Sequence, residues 1–192
     1  RISFSFPISD EALFFAHYDV LTQRPTSNIF SNPATYYYFD NVSGTINNPS
    51  LKPTQTIDYE VGFQQKLTNT SSIKLVAFYR EMRDMLQIYR FNGAYPKDYT
   101  SFNNIDFGTV KGLTVQYDLR RTGNARMNAS YTLQFAEATG SSSTTTAALV
   151  ASGLPNLRST FPIATDRRHN FNIFFDYHWG DGAEYNGPVT RR

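Results

Sequence analysis

The stretch Ile57-Asp58-Tyr59-Glu60-Val61-Gly62-Phe63-Gln64-Gln65-Lys66-Leu67 decides the fold. Ile57, Tyr59, Val61, Phe63 and Leu67 fall on one face of an extended chain, and Asp58, Glu60, Gly62, Gln64 and Lys66 on the other. A period of two marks a β-strand with one apolar and one polar surface, because successive side chains point to opposite sides. The pattern returns downstream. Leu113, Val115, Tyr117 and Leu119 alternate with Thr114, Gln116, Asp118 and Arg120. Met127, Ala129, Tyr131, Leu133 and Phe135 alternate with Asn128, Ser130, Thr132 and Gln134. Phe171, Ile173, Phe175, Tyr177 and Trp179 alternate with Asn170, Asn172, Asp176 and His178, interrupted by Phe174. Ile2, Phe4 and Phe6, and then Ala12, Phe14, Ala16, Tyr18 and Val20, add two strands. Residues 73–86 fit either phase, since Ile73, Leu75, Ala77 and Tyr79 share one face while Val76, Phe78, Met82 and Leu86 share the other.

Around these strands the composition is unusual. Aromatics make up 16% of the 192 residues, with 13 Tyr and 16 Phe, yet the mean hydropathy is −0.44. No run approaches the ~18 apolar residues of a membrane helix. A soluble all-β protein fits these values. So does a transmembrane barrel, in which alternate strand residues touch lipid and aromatic girdles line both interfaces. Lys and Arg total 18 against 16 Asp and Glu, a balance of +2, which lacks the clustered positive field of a nucleic-acid binder. The absence of cysteine excludes a disulfide scaffold and a thiolate metal site.

The connections alternate in length. Residues 7–10, 68–72 and 122–125 are short turns, whereas 21–56, 91–104 and 138–167 are longer loops, and a Gly-rich turn occupies 179–187. Successive strands reverse direction, so all the short turns fall on one side. Short turns on one side and long loops on the other is the outer-membrane barrel pattern. The Ser141-to-Thr146 run is expected to be a mobile tip, with a short helix over 147–154.

Four motifs then bear a resemblance. Asn48-Pro49-Ser50-Leu51-Lys52-Pro53, followed by Thr56-Ile57-Asp58-Tyr59-Glu60-Val61-Gly62-Phe63, resembles the Asn-Pro-x-Leu-Lys-Pro-Glu…Tyr-Glu-x-Gly-Phe signature of TonB-dependent outer-membrane receptors, with Thr54 in place of the acidic residue. Ala77-to-Met85, Asn104-to-Leu113 and Asp166-to-Asn170 resemble three further strand motifs of that family, in the family's order. The match covers essentially the whole chain, and its style is similar to receptors of Bacteroidetes-like bacteria.

The resemblance implies an all-β fold: an antiparallel transmembrane barrel of the 22-stranded type, of which this chain supplies about seven strands. Residues 1–192 read as part of a single barrel domain, with the plug domain and C-terminal strands lying outside the chain, which reads as an internal piece. The implied function is import of a scarce nutrient of the siderophore, glycan, peptide or cobalamin class across a bacterial outer membrane. The implied partners are outer-membrane lipid, TonB acting through the plug, the nutrient itself and a surface lipoprotein, without nucleic acid. A passive porin and a soluble β-sandwich carbohydrate-binding module stay open as alternatives.

Residue assignments follow from phase. Tyr59, Val61, Phe63, Val115, Tyr117, Tyr131, Leu133, Phe175 and Tyr177 are expected to face lipid, and Asp58, Glu60, Gln64, Gln116, Asp118 and Asp176 the lumen. Tyr36, Tyr37 and Tyr38, in the first long loop, are the candidates for stacking on a substrate; the bland reading is that they pack the loop or join an interfacial belt. His17, His169 and His178 lack metal-ligand spacing, His169 being better read as a strand-start residue at the membrane rim. The carboxylates alternate along strands instead of converging, and no nucleophile elbow or phosphate-cradling loop occurs, so no catalytic residue, metal or cofactor is expected.

Overall fold

The computed structural model of the chain describes residues 1–26, 32–180, 182–185 and 187–188, and of Tyr36 the backbone alone. The alternating segments form one antiparallel sheet. Strands β1 (Ile2–Ser9), β2 (Ala12–Gln23), β3 (Thr54–Lys66), β4 (Ser71–Phe91), β5 (Tyr99–Thr122) and β6 (Ala125–Ala138) pair in chain order. A two-residue β7 (Phe161–Pro162) pairs with the far end of β6, and β8 (His169–Tyr177) with the rest of it. The seven strands read from sequence are the seven long ones; β7 is a scrap of ladder inside the last loop.

Register turns the sequence pattern into continuous rows. Phe14, Phe63, Leu75, Val115, Tyr131 and Phe171 stand side by side across six strands. The adjacent same-face row is Ala16, Val61, Ala77, Leu113, Leu133 and His169. These rows orient residues 73–86: Ile73, Leu75, Ala77 and Tyr79 join the apolar face, and Val76 and Phe78 the polar one. Phe78 lies across from Gly112, as Phe15 lies across from Gly62. A Cβ on Gly62 would sit 2.1 Å from Phe15 Cζ, and one on Gly112 2.6 Å from Phe78 Cζ. Each ring fills the space its glycine neighbour leaves, which explains apolar residues on the polar side.

The ends of the sheet differ. At one end the turns are tight, with Asp10 and Glu11 between β1 and β2, residues 67–70 between β3 and β4, and Gly123 and Asn124 between β5 and β6. At the other end the strands run further than expected. Residues 91–104, read as a loop, continue the ladder up to Phe91↔Tyr99, leaving residues 92–98 as the connection. The reason is aromatic: Tyr99 stacks on Phe91 with centroids 4.9 Å apart, and Phe91 meets Tyr89 edge-on at 5.0 Å. β5 has 24 residues. At ~3.3 Å per residue that is roughly 80 Å, whereas a tilted strand crosses a bilayer in about 9–11 residues.

Neither face of the sheet is covered by another sheet among the described residues, so the packed core of a β-sandwich is not what this chain builds. The buried apolar side chains instead gather at the loop end: Ile46, Leu51, Ile88, Ala136, Ala138 and Val150, with Ala12 the exception.

Candidate functional site

The apolar face is exposed. Phe4 is 58% exposed, Val61 49%, Phe175 59% and Tyr177 46%. Phe63, Val115, Tyr117, Tyr131 and Leu133 are half-buried on the same face. So large a contiguous apolar surface is foreign to a soluble monomer. Its two limits are aromatic. On the loop side Tyr18, Tyr59 and Tyr79 stand in one row, with ring centroids 5.3 and 6.3 Å apart. On the turn side Phe175, Tyr177 and Trp179 follow one another at 6.4 and 4.9 Å. On β4 the apolar band runs from the Ser71 row to Tyr79, about nine residues, the length of a transmembrane strand.

The opposite face is polar and internally paired. Arg80 Nε donates to Asp58 Oδ2 at 3.0 Å, and its Nη2 to Glu60 Oε1 at 3.4 Å. Gln64 stands opposite Lys74, which stands opposite Gln116. Gln116 Nε2 donates to Asp118 Oδ2 at 3.2 Å, and Asp118 also accepts from Asn128 Nδ2. Asp176 is held by Arg121. Asp58 Oδ1 is buried and the structure gives it no hydrogen-bond partner. Asp58 and Glu60 thus share Arg80, whereas Asp118 and Asp176 have partners of their own on other strands.

The loop end shows what the motifs do. Among the described residues, the outer edge of β4 has no strand beside it above the last pair with β3, and the outer edge of β5 has none above Gly108↔Ala138. The loops cover both edges, as unpaired strand edges require. Ile46 N donates to Thr100 O at 2.9 Å, Asn48 Nδ2 to Phe102 O at 2.8 Å, and Ser101 Oγ to Ile46 O at 2.8 Å. Asn48 Oδ1 meanwhile accepts from Ser50 N, making the turn that precedes the buried Leu51. Asn104 acts as a one-residue strand: Lys52 N donates to its Oδ1 at 2.8 Å, and its Nδ2 donates to Lys52 O at 2.9 Å and Asp84 O at 2.7 Å. Asp84 sits at a bulge with φ +54°, a left-handed conformation that Asp and Asn tolerate better than other side chains. Asn104→Ala should therefore loosen the lead-in to β3, at about 0.5–1.5 kcal/mol for each hydrogen bond lost, since the Lys52 and Asp84 backbone groups stay within reach of water. A lowered urea midpoint of the full receptor is the measurement, and an unchanged midpoint would refute the role.

The long loop after β6 is fastened by a buried polar knot that sequence reading missed. Gln87 is fully buried. Its Nε2 donates to Asp106 Oδ2 at 2.8 Å and to Ser142 O at 3.1 Å, and its Oε1 accepts from Ile88 N and Thr146 N. Asn156 Nδ2 donates to Ile88 O at 2.7 Å and Thr146 Oγ1 at 2.6 Å, while Ile88 N donates to Ser143 O at 2.7 Å. Thr139 brackets Phe107 through its N–H and hydroxyl. Gly140 admits no side chain, because a Cβ would lie 2.5 Å from Asp106 Oδ2 and 2.7 Å from Gln87 Nε2. The Ser141-to-Thr146 run is thus a hydrogen-bonded clasp, where a loose tip was expected. The helix behind it is Ala147–Ala151, shorter than the expected 147–154. No periodic signal marks a buried glutamine; it shows only once residues 87, 106 and 140 meet in space.

The tyrosine run splits. Pro33–Tyr37 forms a short helix capped by Asn32, whose Oδ1 accepts from Ala34 N at 3.2 Å. Tyr37 is 82% exposed and Tyr38 59%, their rings edge-to-face at 4.9 Å, whereas the Tyr36 side chain lies outside the described residues. Behind them Phe39 packs on Tyr99 at 5.2 Å, and Lys97 Nζ donates to Asp40 O and Val42 O, tying the first loop to the β4–β5 tip. An open cleft of about 620 Å³ separates this junction from the Ala147–Ala151 helix, with Ile46, Arg90, Tyr99 and Val150 on its walls. His17, His169 and His178 lie apart, and the described residues hold no cluster of metal-ligating side chains.

Residues 1–192 match the family described as TonB dependent receptor-like, beta-barrel. No protein of curated function matches at the sequence level. Among solved structures, the closed form of the ferric-catecholate import receptor Fiu from E. coli K12 superposes with a TM-score of 0.62 at 14% identity, over 93% of this chain and 22% of that one. FpvA from P. aeruginosa, bound to heterologous pyoverdines, gives 0.58 at 12% identity over 95% and 20%. The alcaligin outer-membrane receptor FauA from Bordetella pertussis gives 0.54 at 18% over 95% and 26%. The chain spans about a fifth to a quarter of the length of these structures.

Proposed function

Because the chain belongs to the β-barrel family of TonB-dependent receptors and is accordingly an outer-membrane protein, we propose that it is a wall segment of a receptor that imports a scarce nutrient. The supporting observation is the single sheet with one uncovered apolar face, bounded on the loop side by the Tyr18–Tyr59–Tyr79 row and carrying Phe175, Tyr177 and Trp179 at the turn end of β8. In this reading Tyr59, Val61, Phe63, Val115, Tyr117, Tyr131, Leu133, Phe175 and Tyr177 touch lipid. Asp58, Glu60, Gln64, Gln116, Asp118 and Asp176 line the lumen. The remaining strands close the barrel, and a plug from another part of the receptor fills it. The unpartnered Asp58 Oδ1 and the adjacent Arg80–Glu60 pair are groups such a plug would meet. TonB supplies energy by remodelling the plug, and this chain performs no covalent chemistry. The cargo is a nutrient too large or too scarce for porin diffusion: a siderophore, glycan, peptide or cobalamin. Tyr37 and Tyr38, exposed on the first loop, are the contact candidates for cargo or for a surface lipoprotein. Deleting the receptor should abolish growth on one nutrient from a panel of these classes, and deleting TonB should reproduce the loss. Uptake that persists without TonB would instead indicate a passive channel.

The loop end is assigned to the cell exterior, since outer-membrane barrels keep their short turns toward the periplasm. Labelling tests this. In a receptor background otherwise free of cysteine, intact cells exposed to a membrane-impermeant thiol reagent should label Thr144→Cys and spare Asn69→Cys. Both positions are exposed, so accessibility alone cannot produce the difference. The reverse pattern would invert the topology.

A further inference from the structure

On the apolar face of β1 to β5, positive charge first appears at the loop-side boundary, with Arg83 two rows further out on β4 and paired to Glu81. From β1 to β4, the positions on this face up to the Tyr18–Tyr59–Tyr79 row carry no Lys or Arg. The same row continues into β5 as Lys111, which stands between Tyr79 of β4 and Phe135 of β6. The Arg168 guanidinium lies over the Phe135 ring, its Cζ 5.1 Å from the centroid. One row nearer the middle of the band, His169 stands opposite Leu133, with Nδ1 2.8 Å from Tyr131 Oη, leaving Nε2 for an outside partner. All three side chains are exposed.

Nearby carboxylates are mostly engaged. Glu81 accepts from Arg83 Nε at 2.8 Å. Asp166 accepts from Ala136 N at 3.1 Å and lies 3.5 Å from Arg168 Nε. Glu137 stands one row further out, opposite Thr109. Lys111 has no ion-pair partner among the described residues. A lysine at the edge of the hydrocarbon lays its stem along apolar neighbours and lifts its ammonium to headgroup level. Arg168, on the other side of Phe135 and paired to Asp166 through Nε, turns its terminal nitrogens outward as a planar fork that fits a phosphate.

We propose that Lys111, Arg168 and His169 form a binding site for the phosphorylated headgroup of an outer-leaflet lipid. The proposal rests on the reading that the apolar face meets lipid. Location favours a headgroup: the cations are at the aromatic boundary of the band, where lipid phosphates lie, and next to the rings that flank them.

Full-length receptor would be purified from outer membranes in mild detergent and phosphate buffer, and its bound phosphorylated lipid counted by native mass spectrometry. The phosphate buffer sets free phosphate against the lipid. Wild type, Lys111→Arg and the polar-face control Lys74→Gln should retain lipid. Lys111→Gln with Arg168→Gln should lose about fivefold per cation removed. Equal retention in that double variant, or a wild type stripped of lipid by phosphate, would overturn the site. A photocrosslinking benzophenone amino acid at Val61 reports on the underlying reading separately. A lipid adduct there together with full retention in the double variant sinks the headgroup site alone, whereas absence of the adduct sinks both.

Discussion

Val61→Arg should destabilise the assembled barrel by about 1–3 kcal/mol, since a cation on the proposed lipid face costs most at the midplane and less toward the interface. Val61 lies between Ala16 and Ala77 in the apolar band, one row inside the Tyr18–Tyr59–Tyr79 boundary, and is 49% exposed. Its small neighbours offer no carboxylate to pair the guanidinium, and the stem must pass the Tyr59 row to reach the interface. Gln64→Arg is the matched control, on the polar face opposite Lys74. If that face lines the lumen as proposed, the new charge is hydrated, and repulsion from Lys74 in a high-dielectric medium costs about 1 kcal/mol or less. The comparison is made by refolding each variant of the full receptor into lipid vesicles along a urea series. Equal losses for the two variants would reject the face assignment of β3, and with it the reading of every row in register with it.

Gln87→Leu should release residues 139–156 from the sheet while the strands remain folded. Leucine is close to glutamine in volume but leaves Ser142 O, Asp106 Oδ2 and the Thr146 N–H each without the Gln87 partner that the native knot provides. A buried polar group without a partner costs about 1–3 kcal/mol. Local opening relieves all three costs at once, and loop segments open more readily than the barrel. Hydrogen exchange is the measurement: the amides of Ile88, Thr139 and Val150, bonded to Ser143 O, Phe107 O and Thr146 O, should exchange at least about tenfold faster. Gly140→Val should act in the same direction by pushing Asp106 and Gln87 apart. Native exchange rates in both variants would show that the knot does not hold the loop.

Much of the fold was legible because β-structure writes itself in period two. The strands around Val61, Val115, Leu133 and Phe175 were readable with their faces, since each carries an unbroken alternation. The family motifs were readable too, and the structure shows why they are spelled as they are: Asn48 and Asn104 replace missing strand partners, and Asp84 occupies a left-handed bulge. The 73–86 segment resisted because Phe78 obeys a different logic, filling the space over Gly112 in the next strand. That relation spans residues 78 and 112 and leaves no local trace. The β4–β5 ladder ran past its expected end for a similar reason, since Phe91 and Tyr99 stabilise each other only once paired.

The sequence by itself determined the strand phases, the meander and the separation of short turns from long loops, because these depend on neighbours within a few residues. Only the tertiary structure decided the orientation of β4, the covering of its free edge and that of β5, the Gln87 knot and the cationic corner at Lys111. Each is a meeting of residues far apart in the chain, and its energy comes from pairing that exists only after the strands have taken their register.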